Sequence, residues 1–135
     1  MHESNVVRTA RLIVMDSANR IFLFKRPVSS RSRPGDWDIA GGKVSDGELP
    51  IRAAAREFRE ETGSFIDDQD IAYHCDYKDR DGQKWFIREY YVYGGRVALQ
   101  QIVTLPEHDA ILCASIPRAI EATQFPPHKM ALHRL

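Results

Sequence analysis

Glu57, Glu60 and Glu61 crowd into the end of the segment GGKVSDGELPIRAAAREFREETG, which runs from Gly41 to Gly63. Pro50 suits the first turn of a helix and Gly63 suits its stop. Between them Ile51, Ala54, Ala55, Phe58 and Thr62 recur at i, i+3, i+4, i+7 and i+11, one apolar face. A rotation of about 100° per residue puts the three glutamates on an adjoining face. Carboxylates at i, i+3 and i+4 repel one another, and a helix C-terminus disfavours negative charge. The cluster therefore opposes folding unless something positive sits among it. Hard carboxylate oxygens around one point suit magnesium or manganese. The competing reading is a solvated acidic face.

Other elements must position this helix. Val6 to Met15 and Ile21 to Lys25 read as two strands of a hairpin, joined by the polar turn from Asp16 to Asn19. Pro27 to Asp36 is a loop by composition. With Arg26, its Arg31 and Arg33 form either a phosphate-facing rim or a solvated surface. Trp37 to Ala40 is a short extended piece entering Gly41-Gly42. Beyond the helix, Ile71 to Tyr77 and Lys84 to Tyr93 read as strands about a turn at Asp81-Gly82. The second carries aromatic and β-branched residues on both faces, so the sheet expects cover on both sides. A helix is expected from about Ser115, then a break at Phe125-Pro126-Pro127 and a last short helix. The class expected is α/β, with 1–135 one domain.

Composition removes several functions. Nineteen basic residues balance nineteen acidic ones among 135, so no global positive field exists to hold a nucleic-acid scaffold. Cys75 and Cys113 form neither a CxxC nor a disulfide framework, and two free thiols fit a reducing cytosol. The apolar run near the start is too short for a membrane span and lacks a signal-peptide layout, so a cytoplasmic protein is expected. Gly42-Lys43 is no P-loop, because no Ser or Thr follows the lysine, and GxGxxG is absent. Tyr77 to Arg88 has Asp79, Asp81 and Gly82 in calcium-loop register but Tyr77 and Arg88 where acids are needed. The five histidines lack zinc spacing.

Gly42, five residues, Glu48, seven residues, then Arg56-Glu57-Phe58-Arg59-Glu60-Glu61-Thr62-Gly63 resembles the Nudix box, GX5EX7REUXEEXGU. Only Ser64 departs from it, standing where a bulky aliphatic is usual. WDIAGGKV and IFLFKR resemble the strands around that box. The resemblance implies an α/β/α sandwich with a mixed sheet between helices, and magnesium-dependent hydrolysis of a nucleoside diphosphate linked to another moiety. It implies Glu57 and Glu61 as principal metal ligands, Glu60 assisting, and the Gly41 carbonyl completing the shell. Arg56 then holds the carboxylate rotamers, and Glu48 is an outer or water-mediated ligand.

The same resemblance implies a general base in a downstream loop, where Glu107 is the first candidate and Asp109 the second. Arg26 is a candidate for substrate phosphates. The tail QFPPHKMALHRL resembles that of the family's MutT-like branch, in which FPPAN supplies an asparagine to the base. His128 follows the prolines here, which points to a base pocket shaped by His128 and to use of several nucleoside triphosphates. The family's larger sugar-nucleotide enzymes usually carry extra N-terminal structure, and none is expected here. The expected reaction is nucleoside triphosphate to monophosphate and pyrophosphate, by a monomer or homodimer. Alternatives are a dinucleoside polyphosphate or capped-RNA hydrolase, and a nucleotide-binding regulator without turnover.

Overall fold

The computed structural model describes residues 5–80, 86–97 and 110–135. At the centre lies β1 (Asn5–Met15), whose VVRTARLIV run is rich in residues that favour a pleated surface. On one side β1 runs parallel to β6 (Phe86–Arg96), and β6 continues antiparallel to β5 (Ile71–Arg80). On the other side β1 is shared by two partners. Its end pairs with β2 (Ile21–Lys25) through Val14↔Phe22 and Met15↔Ile21. Its middle pairs antiparallel with β4 (Ala40–Lys43) through Thr9↔Lys43 to Leu12↔Ala40. Strand β2 also holds β3 (Trp37–Asp38) and β7 (Ile111–Ala114). Ile39 is thus the point at which the chain crosses from one partner strand to the other. This fork in the sheet opens beside Arg11 and Asp38.

The mixed sheet is covered on both faces, as its two-sided apolar strands require. Helix α1 (Pro50–Thr62) lies on one face, where Phe58, Ala53 and Ala54 pack with Ala10, Leu12, Val14, Phe22 and Phe24. Helices α2 (Ile116–Ala122) and α3 (Pro126–His133) cover the other, where Ile13, Ile21, Leu23, Ile39 and Val92 meet Ala119, Ala131 and Leu132. The architecture is the α/β/α sandwich expected from the sequence. Among the described residues no helix is long and apolar enough to cross a membrane.

One sequence expectation shifts and two short elements are new. Strand β7 was not among the expected elements, because its four residues show no period of their own. The expected break between two tail helices is present at 123–125, and Pro126 and Pro127 lie just past it. They begin α3, whose first turn needs no amide hydrogens from them. The 3-10 turn Asp68–Asp70 leading into β5 was also not foreseen. The turn expected at Asp81-Gly82 lies outside the described residues.

Candidate active site

Helix α1 begins at Pro50 and ends in the left-handed Gly63 (φ 74°), whose amide bonds the Arg59 carbonyl. Burial of Ala53, Ala54, Phe58 and Thr62 fixes its rotation. Glu57 and Glu61 then face β4, with Glu60 one step further out, exposed to solvent. The Gly41 amide donates to Glu61 Oε2 at 3.2 Å. At Gly42 a β-carbon would lie 2.5 Å from the Glu57 carboxyl carbon, so only glycine leaves room for that side chain.

Arg56 supplies the positive charge that the sequence required. Its Nε and Nη2 grip both oxygens of Glu48 at 2.8 and 2.9 Å. Nη1 donates to Glu57 at 3.0 Å and to Glu60 at 3.2 Å, and Nη2 also donates to the Lys43 carbonyl at 3.0 Å. One planar fork thus ties the loop before the helix, strand β4 and two of the glutamates together. The Arg56 hydrogen bond, opposed by partial burial, holds the Glu48 carboxyl at about 2. Glu61 behaves in the opposite way. Burial raises its carboxyl to about 8, against the pull of Arg11 and the Gly41 amide, with Asp38 and Glu57 adding to the rise. The nearby positive charge of Arg11 does not offset this desolvation.

That deficit bears on a metal. Hard oxygens from Glu57, Glu60 and Glu61, beside a Gly-Gly turn that admits Glu57, have the donor chemistry of a magnesium or manganese site. Among the described residues no three acidic, imidazole or thiol groups stand already converged on one point. Two of the glutamates lean instead on Arg56. The residues fit a divalent ion by the chemistry of their donors.

On the opposite face of β1, at the fork, a cavity of about 450 Å³ is lined by Thr9, Arg11, Arg26, Arg33, Tyr90 and Phe125, among others. The Arg33 guanidinium lies 4.2 Å from the Phe125 ring centre. Behind this wall is Asp38. Its carboxylate accepts from Arg26 at 2.9 Å, Arg33 at 3.3 Å and His128 Nε2 at 2.5 Å, with Arg11 at 3.6 Å. Burial pushes the Asp38 carboxyl up, but Arg11, His128 and Arg33 outweigh it and leave it well below its ordinary value. Burial takes the His128 imidazole down to about 4, so the ring is neutral and donates from Nε2.

The structure therefore brings Gly41, Glu48, Arg56, Glu57, Glu60 and Glu61 together and sets Arg26 on the cavity wall. It does not set His128 there. His128 is fully buried, because α3 starts at Pro126 and turns the next residues inward. Its ring meets Asp38 and Phe125 behind the cavity, the latter 4.7 Å away in a T-shaped contact. Glu107 and Asp109 lie outside the described residues. Sequence reading missed Arg11, Asp38 and Tyr90. The signal for Arg11 was present: a charged residue at an inward register of an apolar strand.

A mixed sheet between helices, with a carboxylate-rich helix end held against a Gly-Gly strand, defines an α/β/α domain built around an acidic helix terminus. Residues 6–133 match the NUDIX domain family, and the chain belongs to it. The family generally uses divalent metals. The chain is similar to the 8-oxo-dGTP diphosphatase of Proteus vulgaris, 35% identical over 63 residues. That stretch is 47% of this chain and 55% of the relative, so the match spans about half of each. Among solved structures it resembles the MutT protein of Methanosarcina mazei Go1, with a TM-score of 0.78 at 22% identity over 99% of this chain and 95% of that one. It also resembles the ORF135 protein of E. coli, with a TM-score of 0.77 at 22% identity over 97% and 89%.

Proposed function

We propose that this protein is a magnesium-dependent nucleotide pyrophosphohydrolase of MutT-like type, converting a nucleoside triphosphate to its monophosphate and pyrophosphate. The observation that carries this reading is the Arg56 fork on Glu48, Glu57 and Glu60, next to the desolvated Glu61. A pure binding module has no need of so many carboxylates at one helix end. The half-length match to an 8-oxo-dGTP diphosphatase supports a nucleoside triphosphate as substrate.

Glu57 and Glu61, with Glu60 and the Gly41 carbonyl, would hold the metal. When bound, it neutralises diphosphate charge and makes an attached water more acidic. The chain's own residues do the rest. Arg56 keeps the glutamate rotamers in place, and the arginine-lined cavity takes acceptor groups of the nucleotide. Glu107 is proposed to accept the proton of the attacking water at its carboxylate, with Asp109 as the alternative. We further infer action as a single domain, monomeric or dimeric, in the cytoplasm. A panel of deoxynucleoside triphosphates, the oxidised guanine form and a dinucleoside polyphosphate, assayed with magnesium and scored for phosphate against pyrophosphate, tests the reading. Pyrophosphate release from triphosphates is expected. Turnover of the dinucleotide alone, or of nothing, would overturn it.

A further inference from the structure

Asp38 does not line the cavity of about 450 Å³ at the fork, yet three guanidiniums that do line it converge on its carboxylate. They come from different places: Arg11 from β1, Arg26 from the end of β2, and Arg33 from the loop before β3. Left alone, three like charges on long side chains would spread apart and sample many rotamers. Asp38 prevents this with nearly all its acceptor sites. Oδ1 takes Arg33 and His128, and Oδ2 takes Arg26 with Arg11 alongside. His128, wholly enclosed, fixes the carboxylate plane from behind. Arg26 is further held by the Ser32 carbonyl and Ser30 Oγ, at 2.8 and 2.9 Å, and Arg33 by Asp36 at 3.0 Å.

We propose that Asp38 is a positioning residue, a buried brace that sets Arg11, Arg26 and Arg33 as a prearranged donor array for the acceptor oxygens of a nucleotide. The inference rests on the nucleotide reading above. An array of guanidiniums donates only, so it selects ligand groups that accept, either phosphate oxygens or base carbonyls. Asp38 meets no ligand itself. Its effect is to remove the ordering cost that each arginine would otherwise meet on binding. Binding is therefore what it controls most directly, its remaining influence at the glutamates being the charge that it adds near Glu61.

The test compares wild type with Asp38→Asn and with Ile21→Val, a mild core change away from the cavity. KM and kcat are measured on dGTP with magnesium. Kd is measured calorimetrically for dGMP and for inorganic tripolyphosphate. Asp38→Asn is expected to raise KM and at least one Kd by roughly 10–100-fold with kcat within about threefold, as loss of preorganisation requires. Ile21→Val should lower the melting temperature without moving KM. A loss confined to dGMP assigns the array to the nucleoside, and a loss that includes tripolyphosphate assigns it to phosphate. Should Asp38→Asn fail to fold, Arg26→Lys serves, since it keeps the charge but loses the multipoint grip. Unchanged KM and Kd in a folded variant would overturn the proposal. If wild type hydrolyses no nucleotide, the hydrolase reading falls, while the two Kd values still decide the role of Asp38.

Discussion

Glu57 occupies the space that Gly42 leaves open: a β-carbon at 42 would lie 2.7 Å from each of its carboxylate oxygens. Its neighbour Gly41 is glycine for a different reason. There φ is 151°, and a β-carbon would lie 2.2 Å from the Ala10 carbonyl oxygen, against backbone that cannot move aside. The two glycines separate function from folding. Gly42→Ala should keep the fold, because Glu57 can swing away, and should lower turnover about 10–100-fold, the usual cost of disturbing a metal ligand's support. Gly41→Ala should cost stability by about 1–3 kcal/mol or more. Melting curves alongside turnover of both variants check this. A destabilised Gly42→Ala with normal turnover per folded molecule would refute it.

Metal dependence should be visible without substrate. A ligand that binds only the folded state, at a hundred times its Kd, stabilises by about 2.7 kcal/mol. Magnesium or manganese should therefore raise the melting temperature of the wild type, and Glu57→Gln and Glu61→Gln should each lose most of that rise and most activity. Glu61→Gln carries a second signature. Since the Glu61 carboxyl is desolvated, its neutral amide should leave the metal-free protein no less stable than wild type. A metal-induced shift preserved in both variants would argue against these ligands.

Arg56→Lys keeps one charge but loses the fork. The pair it makes with Glu48 is partly exposed, so little stability should be lost. Turnover should fall about 10–100-fold as Glu57 and Glu60 lose their orientation. Glu48 also has a pH signature. Its folded carboxyl sits near 2 and its ordinary value is 4.5, so its contribution is complete above 4.5 and fades as pH falls towards 2. Acid unfolding of Arg56→Lys should show a weaker dependence in that window. Equal acid profiles would count against the pairing.

For Glu107, the expectation is kinetic. Glu107→Gln should lower kcat by roughly 10²–10⁴-fold, the range for general-base loss. Near-normal kcat would move the role to Asp109 or to a helix glutamate.

Much of this site was legible because its residues are local. Gly42, Glu48, Arg56, Glu57, Glu60 and Glu61 fall along one strand, turn and helix, where spacing alone sets their faces. Pro50 and Gly63 bracketed the helix for the same reason. The cavity was not legible, since its parts are brought together by pairing across the sheet. Nothing in sequence links Arg11 to Asp38, 27 positions apart, until β1 takes β4 as its partner and the chain crosses over at Ile39. The tail shows the reverse failure. Its FPPH segment was matched to a pattern, but where His128 points depends on α3 starting at Pro126, which a pattern does not state.

His128 provides the last test, and its sign is the informative part. Its imidazole is fully buried and donates to Asp38, and burial keeps it from protonating until about pH 4 although its ordinary value is 6.5. The unfolded chain thus takes up this proton first as pH falls. Stability should be complete above 6.5 and decline between 6.5 and 4, by no more than about 3 kcal/mol for a shift of this size. His128→Gln can keep an amide donor near Asp38 without titrating. The variant should be less stable than wild type at pH 7, by about 1–3 kcal/mol for a disturbed buried hydrogen bond to a charged group. The gap between the two should then narrow towards pH 4.5, since carboxylates elsewhere titrate alike in both. Denaturant melts of the pair at pH 7.5, 6 and 4.5 measure that gap. A gap that stays constant, or widens in acid, would mean that the folded state does not hold His128 neutral.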